Sequence, residues 1–409
     1  MRKQILRGGI SALLLILGFQ VSLFTSQAAV VHPQVAARAA VLVDLQTGQV
    51  VASQNDRQRL PIASLAKLVV IYLTEEAIAQ QKLARQKAVS IPPALVQFSQ
   101  DQTIANVPLN SNQKYTIEQL EQAALLASSN SAAMVLAQLV SGSQTAYCQQ
   151  AEKLLAAWGI KQAHFYSASG LENGALKNFK NQQVPSQAQT ELSAREIALV
   201  ARKLVRRFPQ ILNLTSQRQA LFPQAGTTGQ KIVNTNELLT NTQYHFQGLK
   251  TGTTSNQGQN FIGYTTLKNR PVLTVVLNTP DKQTFAATLQ LLRQTDRQTQ
   301  VLAVPAVKQA KILRAKTLNS QVALRRKVVP EVFASPEQTV TLVGTLQTRS
   351  APLAREAVAA TQKLVFRQTE LNDYLDLRPT VRYYPQKDIA RLSFWDSCWQ
   401  KISSLWRRN

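Results

Sequence analysis

Two cysteines and three histidines are all that a chain of 409 residues contains. A scaffold built on disulfides is thereby excluded, and a metal centre of several histidines nearly so. His32, His164 and His245 are scattered without ligand spacing, so a Ser-His-Asp triad would have no obvious base. No P-loop, Gly-x-Gly-x-x-Gly, His-Glu-x-x-His or zinc-type Cys-x-x-Cys stands out, and no internal repeat is evident. No cofactor is expected. Carboxylates are scarce as well: 22 Asp+Glu face 46 Lys+Arg, a formal charge of +24. Hydrophobic residues nevertheless make up 44%, which rules out wholesale disorder, and the length allows two or three domains.

An excess of cations favours contact with polyanions: nucleic acid, anionic lipid or an acidic envelope polymer. The N-terminus chooses among them. Arg2, Lys3 and Arg7 precede an apolar stretch from Ile10 to Phe24, and Ser26-Gln27-Ala28-Ala29 follows. A basic head, a short apolar middle and small residues at a cleavage point read as a secretory signal peptide over residues 1–28. The alternative is an uncleaved anchor, but Gly18 and Gln20 interrupt a run already below the ~20 residues needed to span a bilayer. In either case the bulk of the chain is expected outside the cytoplasm. No nucleic-acid partner is expected there, and lipid headgroups and wall polymers are the anions within reach.

Hydrophobic periodicity divides the chain. Ala39–Val43 and Gln49–Ser53 read as a hairpin around Leu45-Gln46-Thr47-Gly48. From Ser64, SLAKLVVIYLTEEAIAQ reads as a helix apolar on nearly every side, hence deep in the core. Thr116–Leu139 and Ser193–Phe208 carry helical spacing, the latter with Ser193 and Glu196 placed as a capping box. Gln247–Thr253, Gln259–Leu267 and Pro271–Leu277 read as strands, and Asp281–Gln300 as a helix. Strands at both ends of a helical middle predict one α/β unit over 36–302, its mostly antiparallel sheet closed by N- and C-terminal strands together. Beyond Pro305, short β-branched runs such as Thr339–Val343 and Leu364–Phe366 predict a small β-rich domain over 305–384. The Asn/Gln-rich stretch Asn173–Gln189 reads as an exposed loop. In the tail, 388–409, a helical projection gathers Leu392, Trp395, Cys398, Trp399, Ile402, Leu405 and Trp406 within about 140° of arc. Three of the chain's four Trp lie here, which predicts an in-plane amphipathic helix anchored on an anionic membrane surface. A docked helix is the plainer alternative. Cys398 belongs to the apolar face, so no disulfide with Cys148 is expected.

Chemistry enters with Ser64-Leu65-Ala66-Lys67. On a helix the side chains at i and i+3 are neighbours, so the amine of Lys67 can sit beside the hydroxyl of Ser64. A hydroxyl is a poor nucleophile until a neighbour takes its proton, and burial disfavours the charged form of a lysine, leaving it able to do so. Ser111-Asn112-Gln113-Lys114 has the same spacing but lies in a polar, loop-like stretch. Two further elements follow in order: Ser128-Ser129-Asn130, in a helix-dense region, and Lys250-Thr251-Gly252, on an expected strand where glycine suits close backbone approach. Each is weak alone; Ser53-Gln54-Asn55 also matches the second. The order of all three is what carries weight.

With these motifs the chain resembles the serine-type D-alanyl-D-alanine carboxypeptidases, the low-molecular-mass penicillin-binding proteins. The resemblance extends through AAVLVDLQTGQVVASQNDRQRLPIASLAKL, YTIEQLEQAALLASSNSAAMVLAQLVSGS, AAWGIKQAHFYSASGL and GLKTGTTSNQGQNFIGYT, within residues 39–265. It implies a transpeptidase-like α/β fold, a five-stranded sheet against a helical subdomain with the site between, then the small β domain and tail helix. It also implies Ser64 as nucleophile, Lys67 as proton acceptor and Ser128 as relay to the leaving D-alanine, with Lys250 in support. Asn130 would bind the substrate amide, Lys250 and Thr251 the terminal carboxylate. The N–H groups of Ser64 and Thr253 would form an oxyanion hole, with Gly252 part of the strand that substrate lies along. The implied partners are the peptidoglycan stem pentapeptide and, as covalent inhibitors, β-lactams, at the outer face of a bacterial membrane. The family commonly has Thr or Ser where Ala66 stands and often Gly at Ser129; neither departure removes a named side chain. A class A β-lactamase would share the three motifs but needs a Glu-x-x-Leu-Asn pattern, which none of Glu152, Glu172, Glu191, Glu196 and Glu237 begins. A catalytically idle, basic wall-binding protein is the remaining alternative.

Overall fold

The computed structural model describes residues 30–224, 226, 228–254, 258–317, 320–393 and 396. The expected signal peptide and all but the beginning of the tail, Cys398 included, lie outside the described residues. Hydrophobic alternation builds the first unit. The strand Ala39–Asp44 is buried along its whole length: Ala39, Val41 and Val43 face one core, Ala40 and Leu42 the other, the period-two arrangement of a sheet covered on both sides. Five strands hydrogen-bond in the order Val50–Gln54, Ala39–Asp44, Arg270–Thr279, Gln259–Leu267, Leu249–Thr253, with every pairing antiparallel. N- and C-terminal strands thus close one sheet, and the Leu249–Thr253 strand is its edge.

Helices fill the middle. α1 (Lys67–Ala79) continues from a 3-10 turn at Ala63–Ala66, and Lys67 through Glu75 are all buried, as its uninterrupted apolar composition implies. α2 (Pro93–Ser99), α3 (Ile117–Leu125), α4 (Asn130–Ser141) and α5 (Gln144–Ala157) follow; α3 and α4 pack on α1, and α2 and α5 pack on α4. α6 (Ala194–Arg207) begins at the Ser193–Glu196 capping box, α7 (Ile211–Thr215) follows, and α8 (Thr284–Gln298) covers the other sheet face. The spacing over Thr116–Leu139 predicts one helix; the structure has two. Ser128 takes φ +58°, the chain turns there, and the Ser129 hydroxyl caps α4 by accepting from Ala132 N–H. Alanine periodicity cannot register a single left-handed residue.

The β-rich part departs from expectation in detail. Gln300–Ala303 pairs with Glu331–Ala334, so the 302/305 division falls beside a strand already committed to the second part. Its main sheet runs Gln309–Lys311, Gln321–Arg325, Thr380–Pro385, Ala360–Lys363, Leu346–Thr348. Thr339–Val343 and Leu364–Phe366 are not strands; they meet only in the bridge Leu342–Phe366. Ile389 bridges Leu353 and Arg391 bridges Ala315, so residues 388–392 are tied to this sheet rather than helical. The helix expected from Asp388 does not begin there; Ser393 and Asp396 bond reciprocally, Asp396 N–H to Ser393 Oγ and Ser393 N–H to Asp396 Oδ2, and most of the expected helix lies outside the described residues. Among the described residues no helix is long and apolar enough to cross a membrane.

Buried polar contacts join the two parts. Gln49 donates to Phe333 O at 2.8 Å and accepts from Phe333 N–H at 2.9 Å. Arg195 holds Asp373 through two bonds of 2.8 and 2.7 Å and Asp56 through a third of 2.7 Å. Arg202 grips Asp376, and Arg270 bridges Asp44 and Glu331.

Candidate active site

Ser64 lies where the helical layer meets the sheet edge. Ala63 takes φ +47°, a region sparsely used by residues with a Cβ, and the 3-10 turn it opens leaves the Ser64 side chain half-buried at the cleft. Two glycines permit this. A Cβ on Gly170 (φ +78°) would stand 1.9 Å from Ala63 O, and one on Gly252 would stand 3.1 Å from Ile62 O and 3.3 Å from Ser64 N. The edge strand and the 169–170 turn therefore close on the serine from two sides.

One helical turn along, Lys67 is completely buried. Its Nζ lies 2.7 Å from Ser64 Oγ, 2.7 Å from Asn130 Oδ1 and 2.8 Å from Ser169 O. Burial, then the nearby Lys250 charge, hold its pKa well below the usual lysine range. A neutral amine has two N–H donors and one lone pair. The two carbonyl oxygens take the donors, and the lone pair is left to the Ser64 hydroxyl, the arrangement a general base requires.

A second lysine faces it. Lys250, also buried, donates to Ser128 Oγ at 2.9 Å and to Thr251 O at 2.8 Å. Desolvation pushes its pKa down to about 7. Asn130, at the start of α4, is fixed by its own N–H to Ala105 O at 2.9 Å. Thr251 Oγ1 is 2.6 Å from Thr235 Oγ1, Gly252 is buried, and Thr253 is exposed at the strand end opposite Gln259. All eight residues singled out from the sequence therefore converge. Ser64, Ser128, Asn130, Thr251, Gly252 and Thr253 line a cleft of about 520 Å³, with Lys67 and Lys250 beneath. Ser111 and Lys114 stand on an exposed turn elsewhere. Among the described residues no group of three or more His, Cys, Asp or Glu side chains is placed to hold a metal ion.

Ser169, Gly170 and Thr235 were not singled out. Ser169 acts through its carbonyl, which every residue carries, and Thr235 through a contact across 16 residues; only the small pair Ser169-Gly170 offered a signal. The Asn173–Gln189 stretch is not a plain exposed loop either. Asn173 is wholly buried and donates to the carbonyls of Asn181 and Val184 while accepting from Asn181 N–H. This pins a cleft wall that includes Glu172, Ala175 and Gln189.

Sheet, helical layer and the paired serines and lysines between them are the architecture of the low-molecular-mass penicillin-binding proteins. A solved peptidoglycan synthesis regulatory factor from Streptococcus pneumoniae superposes with a TM-score of 0.77 at 26% identity, covering 87% of this chain and 100% of that one. Residues 26–281 match the family model of D-alanyl-D-alanine carboxypeptidases, and the chain belongs to that family. A D-alanyl-D-alanine carboxypeptidase of Haemophilus influenzae is 26% identical over 66% of this chain and 64% of its own length. A D-alanyl-D-alanine endopeptidase of Pseudomonas aeruginosa is 28% identical over 68% of this chain and 82% of its own. The chain thus spans just under two thirds of the first of these relatives.

Proposed function

We propose that this protein is a serine D-alanyl-D-alanine carboxypeptidase that removes the terminal D-alanine from peptidoglycan stem pentapeptides through an acyl-enzyme on Ser64. The observation that carries the reading is the 2.7 Å contact between a half-buried hydroxyl and a buried lysine whose proton affinity is lowered. Lys67 takes the Ser64 proton as Oγ bonds to the penultimate carbonyl carbon. The oxygen that becomes negative is held by the N–H groups of Ser64 and Thr253, each such donor typically worth about 3 kcal/mol in the transition state. Ser128, bonded to Lys250, passes a proton to the departing amine as the C–N bond breaks and is reprotonated at the expense of Lys67, which is neutral again. Asn130 binds the peptide amide, and Lys250 with Thr251 the terminal carboxylate. The peptide lies along the free edge of the Leu249–Thr253 strand, where main-chain bonds supply affinity, with Gly252 allowing the approach. Water then adds to the ester carbonyl, its proton goes to the neutral Lys67, and Lys67 returns that proton to Ser64 Oγ as the ester C–O bond breaks.

β-Lactams would acylate the same hydroxyl and remain. The N-terminal signal and the Trp-rich tail support an extracytoplasmic enzyme held at the outer face of the membrane. Incubation with penicillin followed by peptide mass mapping should locate the adduct on Ser64, and Ser64→Ala should abolish both adduct and D-alanine release. An adduct elsewhere, or full release by the variant, refutes the mechanism. Rapid multiple turnover of penicillin would instead favour the β-lactamase reading. Loss of residues 397–409 should move the protein from membrane to soluble fractions; unchanged sedimentation with membranes refutes the anchor.

A further inference from the structure

We propose that the outer face of the β-rich sheet is a docking surface for a linear, hydroxyl-bearing polyanion of the cell-wall type. Strand register sorts its side chains. Val322, Leu324, Ala360, Gln362, Val381 and Tyr383 point into the core, so the alternate positions point outward. Cross-strand pairs on that outer side are Lys311 with Gln321, Arg325 with Tyr384, Thr361 with both Arg382 and Gln347, and Lys363 with Thr380. No outward strand position carries a carboxylate. Lys311, Lys363 and Arg382 are exposed, and among the described residues none of the three is in an ion pair. Only Arg325 is matched, by Glu356 from a neighbouring loop.

The register sets Arg325, Arg382 and Lys363 on one diagonal, each a strand over and two residues along from the last, and Lys311 extends the line beyond Arg325 after a wider gap of four residues. With opposite residues about 5 Å apart and i, i+2 neighbours about 7 Å, that diagonal is a spacing successive anionic groups of one chain can meet. Between them stand Gln321, Gln347, Thr361 and Thr380, which offer hydrogen bonds to hydroxyl groups. That mixture selects the occupant. A face that lies on a bilayer gains from large apolar side chains that enter it, and the outward strand positions offer none that is bare: Ala323 is small, and the Tyr384 ring is covered by Lys327 at 4.6 Å and Arg325 at 5.8 Å. The acidic residues Asp373 and Asp376 and the Glu331 carboxylate are turned instead toward Arg195, Arg202 and Arg270, which leaves the outer face cationic. Docked there, the polymer would hold the enzyme in the wall independently of its chemistry.

The test uses the full-length protein, poly(glycerol phosphate) as polymer probe and phosphatidylglycerol-containing vesicles as bilayer probe. The triple variant K311Q/K363Q/R382Q should lose about tenfold or more in polymer affinity. Its slope of log affinity against log salt should fall by roughly two to three, one for each phosphate no longer neutralised. Thermal midpoint and the rate of β-lactam acylation should stay unchanged. A control of equal charge change on the other unit, K87Q/K114Q/K153Q, all exposed, should bind the polymer like the unsubstituted protein. The conservative variant K311R/K363R/R382K should also bind normally. Equal losses in both glutamine variants would mean that net charge alone is read, and would overturn the proposal. So would absence of polymer binding at moderate salt, or a loss seen with vesicles but not with polymer.

Discussion

Lys250→Met should make the protein more stable at neutral pH relative to alkaline pH, and the difference isolates one buried amine. The unfolded chain keeps this proton up to about 10.5, whereas the folded protein releases it near 7. Between those limits the unfolded state binds more protons, so the stability of the unsubstituted protein rises with pH; below about 7 both states are charged and the full penalty is present. At pH 7 the buried charge then costs the fold about 4 kcal/mol, and at pH 9 about 2 kcal/mol. Methionine removes this cost. It also strips the bonds to Ser128 Oγ and Thr251 O, a loss of about 1 kcal/mol each that does not vary with pH. Lys67 contributes with the same sign in both proteins, and without the Lys250 charge its own pKa is depressed less, a change in the same direction as the main effect. Urea unfolding at pH 7, 8 and 9 should show the stability gap, variant minus parent, shrinking by about 2 kcal/mol across the range. A gap that stays constant would mean that Lys250 keeps an ordinary proton affinity, and the electrostatic account of the site would fail.

Other perturbations test its supports. Gly170→Ala, which drives a Cβ into Ala63 O, should displace Ser64 and lower β-lactam acylation at least a hundredfold while the protein still folds; stopped-flow acylation measures it, and near-normal rates would contradict the close packing. Arg195→Ala leaves Asp373 buried and unpaired, 2% exposed, which should destabilise by about 3–5 kcal/mol; limited proteolysis should then cut first between the two parts, and an unchanged pattern counts against the ion-pair clamp. Asn173→Ala orphans carbonyls of the 181–185 turn, so KM for peptide should rise several-fold with kcat nearly kept, because the wall loosens but the reacting groups do not move; equal loss in both would place Asn173 closer to the chemistry.

Periodicity and short motifs carried far in the first unit because each rests on local physics. The capping box at Ser193–Glu196 and the period-two pattern of Ala39–Asp44 are read from neighbours in sequence, and the Ser64–Lys67 pair from one helical turn. What escaped depends on distant chain or on backbone alone. The break at Ser128 is set by the docking of Asn130 against Ala105, which no window around residue 128 contains. Ser169 contributes a carbonyl, and Thr235 a contact with the edge strand. In the β-rich part, β-branched composition marked Thr339–Val343, yet pairing went to Leu346–Thr348, since strand choice depends on which partner edge is free.

Neither half of the reactive arrangement exists on its own. Ser64 and Lys67 come from the helical layer, Lys250 and the strand that closes on Ser64 from the sheet, and the lowered proton affinities arise only when the two are pressed together. A molecule in which these layers have parted has an ordinary serine beside an ordinary, charged lysine and is inert. Covalent capture by an antibiotic would therefore count intact molecules in a mixed population, and on the proposed reading a chain whose two layers have not yet met could cleave no peptide.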